Sequence, residues 1–137
     1  MYKRIFIFVI ISFIFSQDKV YFVYNAENDF ISVMGDFFHK SLSPKTYPCS
    51  LCGLTYGLAF KKKIWRNFLD SLEFSHEFLY RNQLNGFNEG VGELPTVLIG
   101  NKENFTVLLS SDEMNKMKNI DELIENINIK LNLLKYE

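Results

Sequence analysis

Short runs of β-branched and aromatic residues alternate with longer stretches of helical periodicity, and this alternation constrains the fold more than any other feature of the chain. Residues 20–24 (VYFVY) form an apolar run that ends at Asn25, and the apolar residues between 30 and 42 then recur at helical spacing. The first pattern predicts a buried strand and the second an amphipathic helix. A strand followed by such a helix is typical of an α/β layer fold.

The rest of the chain continues this alternation. Residues 77–80 predict a second strand, and residues 96–99 and 105–109 predict an antiparallel hairpin because a polar turn separates them. Between these strands, the glycine-containing residues 82–93 predict a mobile surface loop. Helical periodicity covers residues 53–72, with Phe60, Ile64, Trp65, Phe68, Leu69 and Leu72 on its apolar side, and it returns over residues 120–134. The predicted fold is therefore α/β, with a mixed sheet flanked by helices.

The composition restricts the classes of protein and ligand to be considered. The chain has 137 residues, of which 47% are hydrophobic, so it can form a single domain with its own core. Its formal net charge of −1 argues against binding to nucleic acid, because nucleic-acid-binding proteins carry a basic surface. The phosphate-binding motifs G-x-x-x-x-G-K-[ST] and G-x-G-x-x-G are absent from the sequence, so we expect no nucleotide and no cofactor.

The N-terminal segment has the pattern of a secretory signal peptide. Lys3 and Arg4 precede an apolar run over residues 5–15, which ends in the polar sequence SQDK. This run is shorter than the ~20 apolar residues that a membrane-spanning helix needs. We therefore expect residues 1–17 to direct export to the periplasm or the extracellular medium, with residues 18–137 as the domain. The alternatives are an N-terminal membrane anchor, which would associate the chain with a membrane, or a buried strand.

Cys49 and Cys52, the only cysteines of the chain, form a C-x-x-C motif where a loop gives way to a helical pattern. At the start of a helix, free backbone N–H groups and the positive end of the helix dipole stabilise a thiolate. The spacing allows Cys52 to attack a mixed disulfide formed on Cys49. Cys49 is therefore the predicted nucleophile and Cys52 the resolving thiol, and Lys45 is either a further positive charge nearby or an ordinary solvated lysine.

The motif alone leaves other kinds of site open. An exported C-x-x-C can be a structural disulfide, and it can also be half of a site for a soft metal such as Zn(II) or Cu(I). Zinc requires about four ligands, so two cysteines would need further ligands such as histidine. His39 and His76 are far apart in the sequence, and the residues around each of them indicate an ordinary polar residue of a helix or a strand edge. Covalent c-type haem is excluded because Gly53 follows Cys52.

The segment Leu94-Pro95-Thr96, taken together with the upstream C-x-x-C, resembles the thioredoxin-like superfamily. The resemblance implies a cis proline beside the active cysteines at the opening of the third core strand, with Pro95 packed on the disulfide. It also implies that Leu94 offers its backbone to an extended substrate and that Thr96 belongs to the substrate-binding segment. The residues alone also allow a trans proline that opens an edge strand. Residues 47–57 (YPCSLCGLTYG) are similar to a motif in a small group of bacterial proteins.

Three features differ from the pattern of thioredoxins. Residues 26–48, with a predicted helix of their own, intervene between the first strand and the cysteines; residues 20–24 contain no acid; and Ser50-Leu51 matches neither Gly-Pro nor Pro-Tyr. The predicted function is a thiol–disulfide oxidoreductase or disulfide carrier whose partner is a protein or a small thiol or disulfide. The alternatives are a metal-binding module and a non-catalytic interaction domain with a structural disulfide. Residues 61–63 (KKK) are interpreted as a solvated helix face, or as a docking patch for an acidic partner.

Overall fold

The structure of the protein is a computed structural model that describes residues 18–28, 49–57, 60–87 and 89–137. Several predictions from the sequence lie outside these residues. They are the signal peptide at residues 1–17, the helix over residues 30–42 and the positions of His39 and Lys45.

The strand β1, Lys19–Tyr24, lies in the middle of the sheet. It pairs in parallel with β2, Ser75–Tyr80, and antiparallel with β3, Thr96–Gly100. Residues 20–24 are buried on both faces, which explains why this strand is a continuous apolar run instead of an alternating one. Such β-branched and aromatic side chains pack well on a pleated surface, so the prediction of a buried strand here is confirmed.

The strand β4, Phe105–Leu109, pairs antiparallel with β3 and completes a four-stranded sheet in the order β2-β1-β3-β4 within the described residues. The predicted hairpin is confirmed. Gly100 ends β3 with a φ of 131°, and a Cβ atom there would lie 2.3 Å from the carbonyl oxygen of Asn104. Glycine is therefore the residue that this tight turn requires. The α/β class with a mixed sheet and helices is confirmed as well.

The single helix predicted over residues 53–72 is wrong. The structure has two helices instead, α1 at Ser50–Thr55 and α2 at Lys63–Ser71. The chain between them folds back on itself, since Gly57 N–H donates to the Phe60 carbonyl at 2.8 Å and Tyr56 forms a β-bridge with Lys61.

The break between the two helices also changes the predicted apolar face. Trp65, Phe68 and Leu69 are buried as expected, but Phe60 is 77% exposed and Ile64 is 44% exposed. Phe60 lies outside both helices, so helical spacing does not decide where its side chain points.

Two capped helices end the chain. Ser110 caps α3, Ser111–Asn115, because its hydroxyl accepts the N–H of Glu113 while the Glu113 carboxylate accepts the N–H of Ser110 at 2.8 Å. Asn119 caps α4, Ile120–Lys135, by accepting the N–H of Glu122 at 3.0 Å. The prediction of a C-terminal helix is confirmed.

The two faces of the sheet are covered differently. One face packs against the helices, and its core contains both cysteines together with Phe22, Tyr24, Trp65 and Val97. The other face is covered by Phe105 and by side chains of the loop that follows β2. Its buried residues are Tyr21, Val23, Leu79 and Leu98. That loop begins with a 3₁₀ turn at Arg81–Gln83 and contributes Leu84, Phe87, Val91 and Leu94. In the described residues, a loop therefore covers this face where many α/β folds place a helix.

Candidate redox site

Cys49 and Cys52 form a disulfide bond at the start of α1. Their Cα atoms are 5.3 Å apart, within the range that a disulfide requires. The bond joins residues three positions apart, so it closes a very small loop and does not connect distant parts of the fold.

The sulfur of Cys49 itself caps the helix. Cys49 lies just before α1, and its Sγ accepts a hydrogen bond from the backbone N–H of Cys52 at 3.2 Å, while its carbonyl accepts the N–H of Gly53. A side-chain oxygen of Ser, Thr, Asp or Asn usually takes this capping position. An N–H that points at a sulfur stabilises negative charge on that sulfur more than it stabilises the neutral thiol. This hydrogen bond favours a thiolate at Cys49, whereas the burial of the sulfur among apolar side chains opposes it.

Both sulfurs belong to the protein core. Cys49 is 0% exposed and Cys52 is 1% exposed, and they are packed with Leu51 and Leu54 of the same helix. Between them, the buried Ser50 hydroxyl forms no hydrogen bond with any described residue. Neither sulfur is therefore open to solvent in this structure.

The segment that carries the proline lies at the same end of the sheet. The Leu94–Pro95 peptide bond is cis and Pro95 is buried. The Leu94 carbonyl accepts a hydrogen bond from the Ser111 hydroxyl at 3.4 Å, and the Thr96 hydroxyl donates to the Leu109 carbonyl at 2.9 Å. This carbonyl of Leu94 therefore has an internal partner.

The helix α3 connects this segment to the disulfide. Ser111, which donates to Leu94, is the first residue of α3, and α3 packs against α1. Cys49, Cys52 and Val97, the residue after Thr96, belong to one core cluster. The segment with the proline is thus linked through α3 to the helix that carries the cysteines.

A buried polar pair beneath α1 is the feature that sequence reasoning missed. The Thr55 hydroxyl donates to the Leu51 carbonyl at 2.8 Å, so the Tyr24 hydroxyl, 3.1 Å from Thr55 Oγ1, donates to that oxygen. Burial raises the pKa of Tyr24, which keeps the phenol neutral and able to donate. The sequence contains a signal for this pair, since a tyrosine that ends an apolar strand carries a hydroxyl that must find a partner when it is buried.

The three consecutive lysines do not form one helix face. Lys61 precedes α2 and folds over the β2 strand, with its Nζ 3.2 Å from the centre of the Phe78 ring. Burial lowers the pKa of Lys61 to about 8. Burial and the charge of Lys61 lower the pKa of His76, against the opposing effect of Asp70. Of the three lysines, only Lys63 is exposed, since Lys62 is half-buried like Lys61.

The metal-binding alternative gains no ligands in the described part of the chain, where no group of three or more His, Cys, Asp or Glu side chains converges. None of the helices in that part is long and apolar enough to cross a membrane. Comparisons of the chain with protein-family models, with curated proteins and with solved structures gave no match. The chemistry of the site therefore has to be argued from its own geometry.

Proposed function

We propose that this protein is an exported, thioredoxin-like thiol–disulfide oxidoreductase or disulfide carrier that acts through Cys49 and Cys52. The observation that carries the proposal is the disulfide at the start of α1, in which the sulfur of Cys49 receives the N–H of Cys52. A disulfide that only staples a fold does not need a hydrogen bond that favours the thiolate of one of its sulfurs.

The reaction is an exchange of one disulfide for another. A thiolate of the substrate attacks Cys49 Sγ, the bond to Cys52 breaks, and the Cys52 sulfur leaves as a thiolate that takes up a proton. A second substrate thiolate then attacks the mixed disulfide at the substrate sulfur and releases Cys49. The substrate gains a disulfide and loses two electrons, while the protein becomes the dithiol. The reverse sequence reduces a substrate disulfide.

Three features of the fold support the thioredoxin-like part of the proposal. The helix that carries the cysteines packs on the helical face of a mixed sheet whose order, β2-β1-β3-β4, is compatible with such a fold. A cis proline opens β3, and a hairpin and a C-terminal helix follow it, as the resemblance implies. Export by residues 1–17 would place the chain in a compartment where disulfides persist.

The pH dependence of alkylation tests the proposal. The full chain is reduced, treated with iodoacetamide between pH 5 and pH 9, and each cysteine is followed by mass spectrometry, with and without a metal chelator. We expect the alkylation rate of Cys49 to reach half of its maximum well below the pH of ~8.5 at which an ordinary cysteine does, whatever the absolute rate at this buried site, and we expect the chelator to have no effect. In the matched variants, Cys52→Ser should trap a mixed disulfide with a disulfide peptide, whereas Cys49→Ser should not.

Other results would contradict the redox assignment. If the alkylation rates of both cysteines follow the pH profile of free thiols, a structural disulfide is left as the explanation. Protection that disappears on addition of the chelator would instead indicate a metal site.

A further inference from the structure

We propose that a groove on the loop-covered face of the sheet binds a lysine or arginine side chain of an extended substrate segment, which makes cationic polypeptides the preferred substrates. The assignment to substrates rests on the proposed function. The groove is a cavity of about 220 Å³ between the glycine-rich loop, β3, β4 and the start of α3. Its apolar wall is formed by Val91 and Val107, and Thr96 also lines it.

Two carboxylates give the groove its charge. Glu93 from the loop and Asp112 from α3 both line the cavity and are exposed, and no basic side chain is among its described lining residues. Neither carboxylate forms an ion pair with any described residue, whereas four other carboxylates of the chain are paired with a lysine or arginine, namely Glu27, Glu73, Glu77 and Glu113. Two uncompensated negative charges at the rim of one cavity attract a cation and repel an acidic segment.

The combination of apolar wall and acidic rim fits one kind of side chain. Lysine and arginine carry a stem of methylene groups beneath a charged head. Such a stem can lie along Val91 and Val107, of which Val107 is 41% exposed, while its head reaches Glu93 or Asp112. An acidic side chain would be repelled, and a purely apolar one would leave both carboxylates without a partner.

The groove lies at the end of the sheet that also carries the redox site. β1 ends and β3 begins at this end, where Thr96 pairs with Val23. Ser111 and Asp112 line the groove and belong to α3, which packs against the cysteine-bearing helix α1. A polypeptide that occupies the groove on the loop-covered face therefore contacts α3, which in turn contacts the helix that carries the disulfide on the other face.

The test measures binding separately from redox chemistry. The oxidised full chain is titrated into a fluorescein-labelled, cysteine-free octapeptide in which lysines alternate with valine and threonine, and anisotropy is recorded at two salt concentrations. Matched peptides carry glutamine or glutamate at the lysine positions. We expect the lysine peptide to bind more tightly than the glutamine peptide, the glutamate peptide not to bind, and salt to weaken the interaction.

Variants locate the binding surface. Glu93→Gln with Asp112→Asn should weaken binding of the lysine peptide about fivefold, because two exposed charge interactions are lost. The control is Asp121→Asn with Glu125→Gln, which removes the same net charge from α4. Asp121, like Asp112, lies in the first turn of its helix. The control variant should bind the lysine peptide like the unmodified protein. Binding that is absent, independent of peptide charge, or reduced equally in both double variants would overturn the proposal.

Exchange kinetics then distinguish this proposal from the proposed function. Disulfide-containing versions of the lysine and glutamine peptides should be reduced at different rates by the dithiol form. If the chain exchanges with neither peptide but still binds the lysine peptide at the groove, the redox function fails and the groove stands. If it exchanges with both at one rate, the redox function stands and the substrate preference fails.

Discussion

At the scale of single residues, the polar group beneath the cysteine-bearing helix is a neutral phenol. The Tyr24 hydroxyl ends a short chain of hydrogen bonds that runs through Thr55 to the Leu51 carbonyl, inside the redox motif. Both side chains are 0% exposed, so neither can exchange its partner for water. The pair therefore fixes α1 to the central strand of the sheet.

Removal of the Tyr24 hydroxyl and removal of the Thr55 hydroxyl should lower the free energy of unfolding by different amounts. Tyr24→Phe removes the donor, and the Thr55 hydroxyl keeps its bond to Leu51, so we expect a loss of about 1 kcal/mol in the free energy of unfolding. Thr55→Val leaves the Tyr24 hydroxyl buried without an acceptor, and we expect a larger loss of about 2 kcal/mol. Urea denaturation measures both values. In the double variant, the second substitution should cost less than it does alone; strictly additive losses would show that the two hydroxyls do not interact.

Replacing Gly100 or Gly53 by alanine should change the free energy of unfolding in opposite directions. Gly100→Ala places a Cβ against the Asn104 carbonyl at a φ of 131°, and we expect a loss of about 3 kcal/mol. Gly53→Ala adds a Cβ within α1 where no heavy atom lies within 4 Å, and we expect a gain of about 0.5 to 1 kcal/mol. Thermal and urea denaturation should both show this reversal, and a destabilised Gly53→Ala would contradict the position of Gly53 in an open helix face.

At the scale of elements, the strands could be predicted from the sequence and the middle helices could not. The strand predictions succeeded because β-branched and aromatic runs at residues 20–24 and 105–109 are bounded by turn residues. The helix prediction over residues 53–72 failed because periodicity does not register the fold-back at Gly57, which depends on a backbone bond to Phe60. The position of the C-x-x-C motif at a helix start was predicted because the motif stands where a loop gives way to a helical pattern, although the helix begins at Ser50, before the predicted start of the periodicity at residue 53.

The start of α3 provides a pH-dependent contact between elements. Burial raises the pKa of Glu113, but the hydrogen bonds from Lys130 of α4 and from Ser110 outweigh it, so the net pKa lies below the ordinary value of 4.5. A lowered pKa means that the folded state binds the proton less tightly, so the stabilisation is present above pH 4.5 and is lost as the pH falls through the folded-state pKa.

Glu113→Gln should therefore change the acid dependence of stability. Between pH 6 and pH 3, the free energy of unfolding of the unmodified protein should fall more than that of Glu113→Gln. Near pH 3 the two proteins should have similar free energies of unfolding. Urea denaturation across this pH range provides the measurement, with the unpaired, exposed Glu125→Gln as the control that should follow the unmodified protein. A parallel loss in Glu113→Gln would mean that this carboxylate does not contribute.

At the scale of the whole molecule, the disulfide is not what holds the fold together. It links residues three positions apart within one helix start, while the long-range order comes from the sheet and from a core packed on both of its faces. Closing so short a loop removes little conformational entropy from the unfolded chain. Such a bond can open and close without loss of the domain, as a redox site requires.

Reduction should accordingly leave the protein folded. We expect dithiothreitol to lower the free energy of unfolding by about 2 kcal/mol, as the loop-closure model gives for so small a loop. Circular dichroism at 222 nm during urea denaturation measures the change. The double variant Cys49→Ser with Cys52→Ser should show no response to the reductant, and unfolding of the unmodified protein on reduction alone would identify the disulfide as a structural staple instead.

At the candidate site, the disulfide-forming pair at a helix start was predictable, but the burial of its sulfurs was not. The residue types and spacing of Cys49, Cys52 and Pro95 indicate the kind of reaction, and spacing along the chain also places the cysteines at a helix start. Burial of the sulfurs and the partner of the Leu94 carbonyl depend on how α1 and α3 pack, which no local pattern specifies. Likewise, Glu93 and Asp112 are far apart in sequence, and only the fold brings them to one cavity.

The central position of β1 determines when the domain can assemble. This strand is synthesised before its neighbours, yet it pairs with β2 at residues 75–80 and with β3 at residues 96–100. Residues 20–24, which are all buried in the finished sheet, therefore stay unpaired until most of the chain has been synthesised. A chain of this topology completes its sheet only when residues 75–109 have been synthesised, and until then β1 is an unpaired apolar strand.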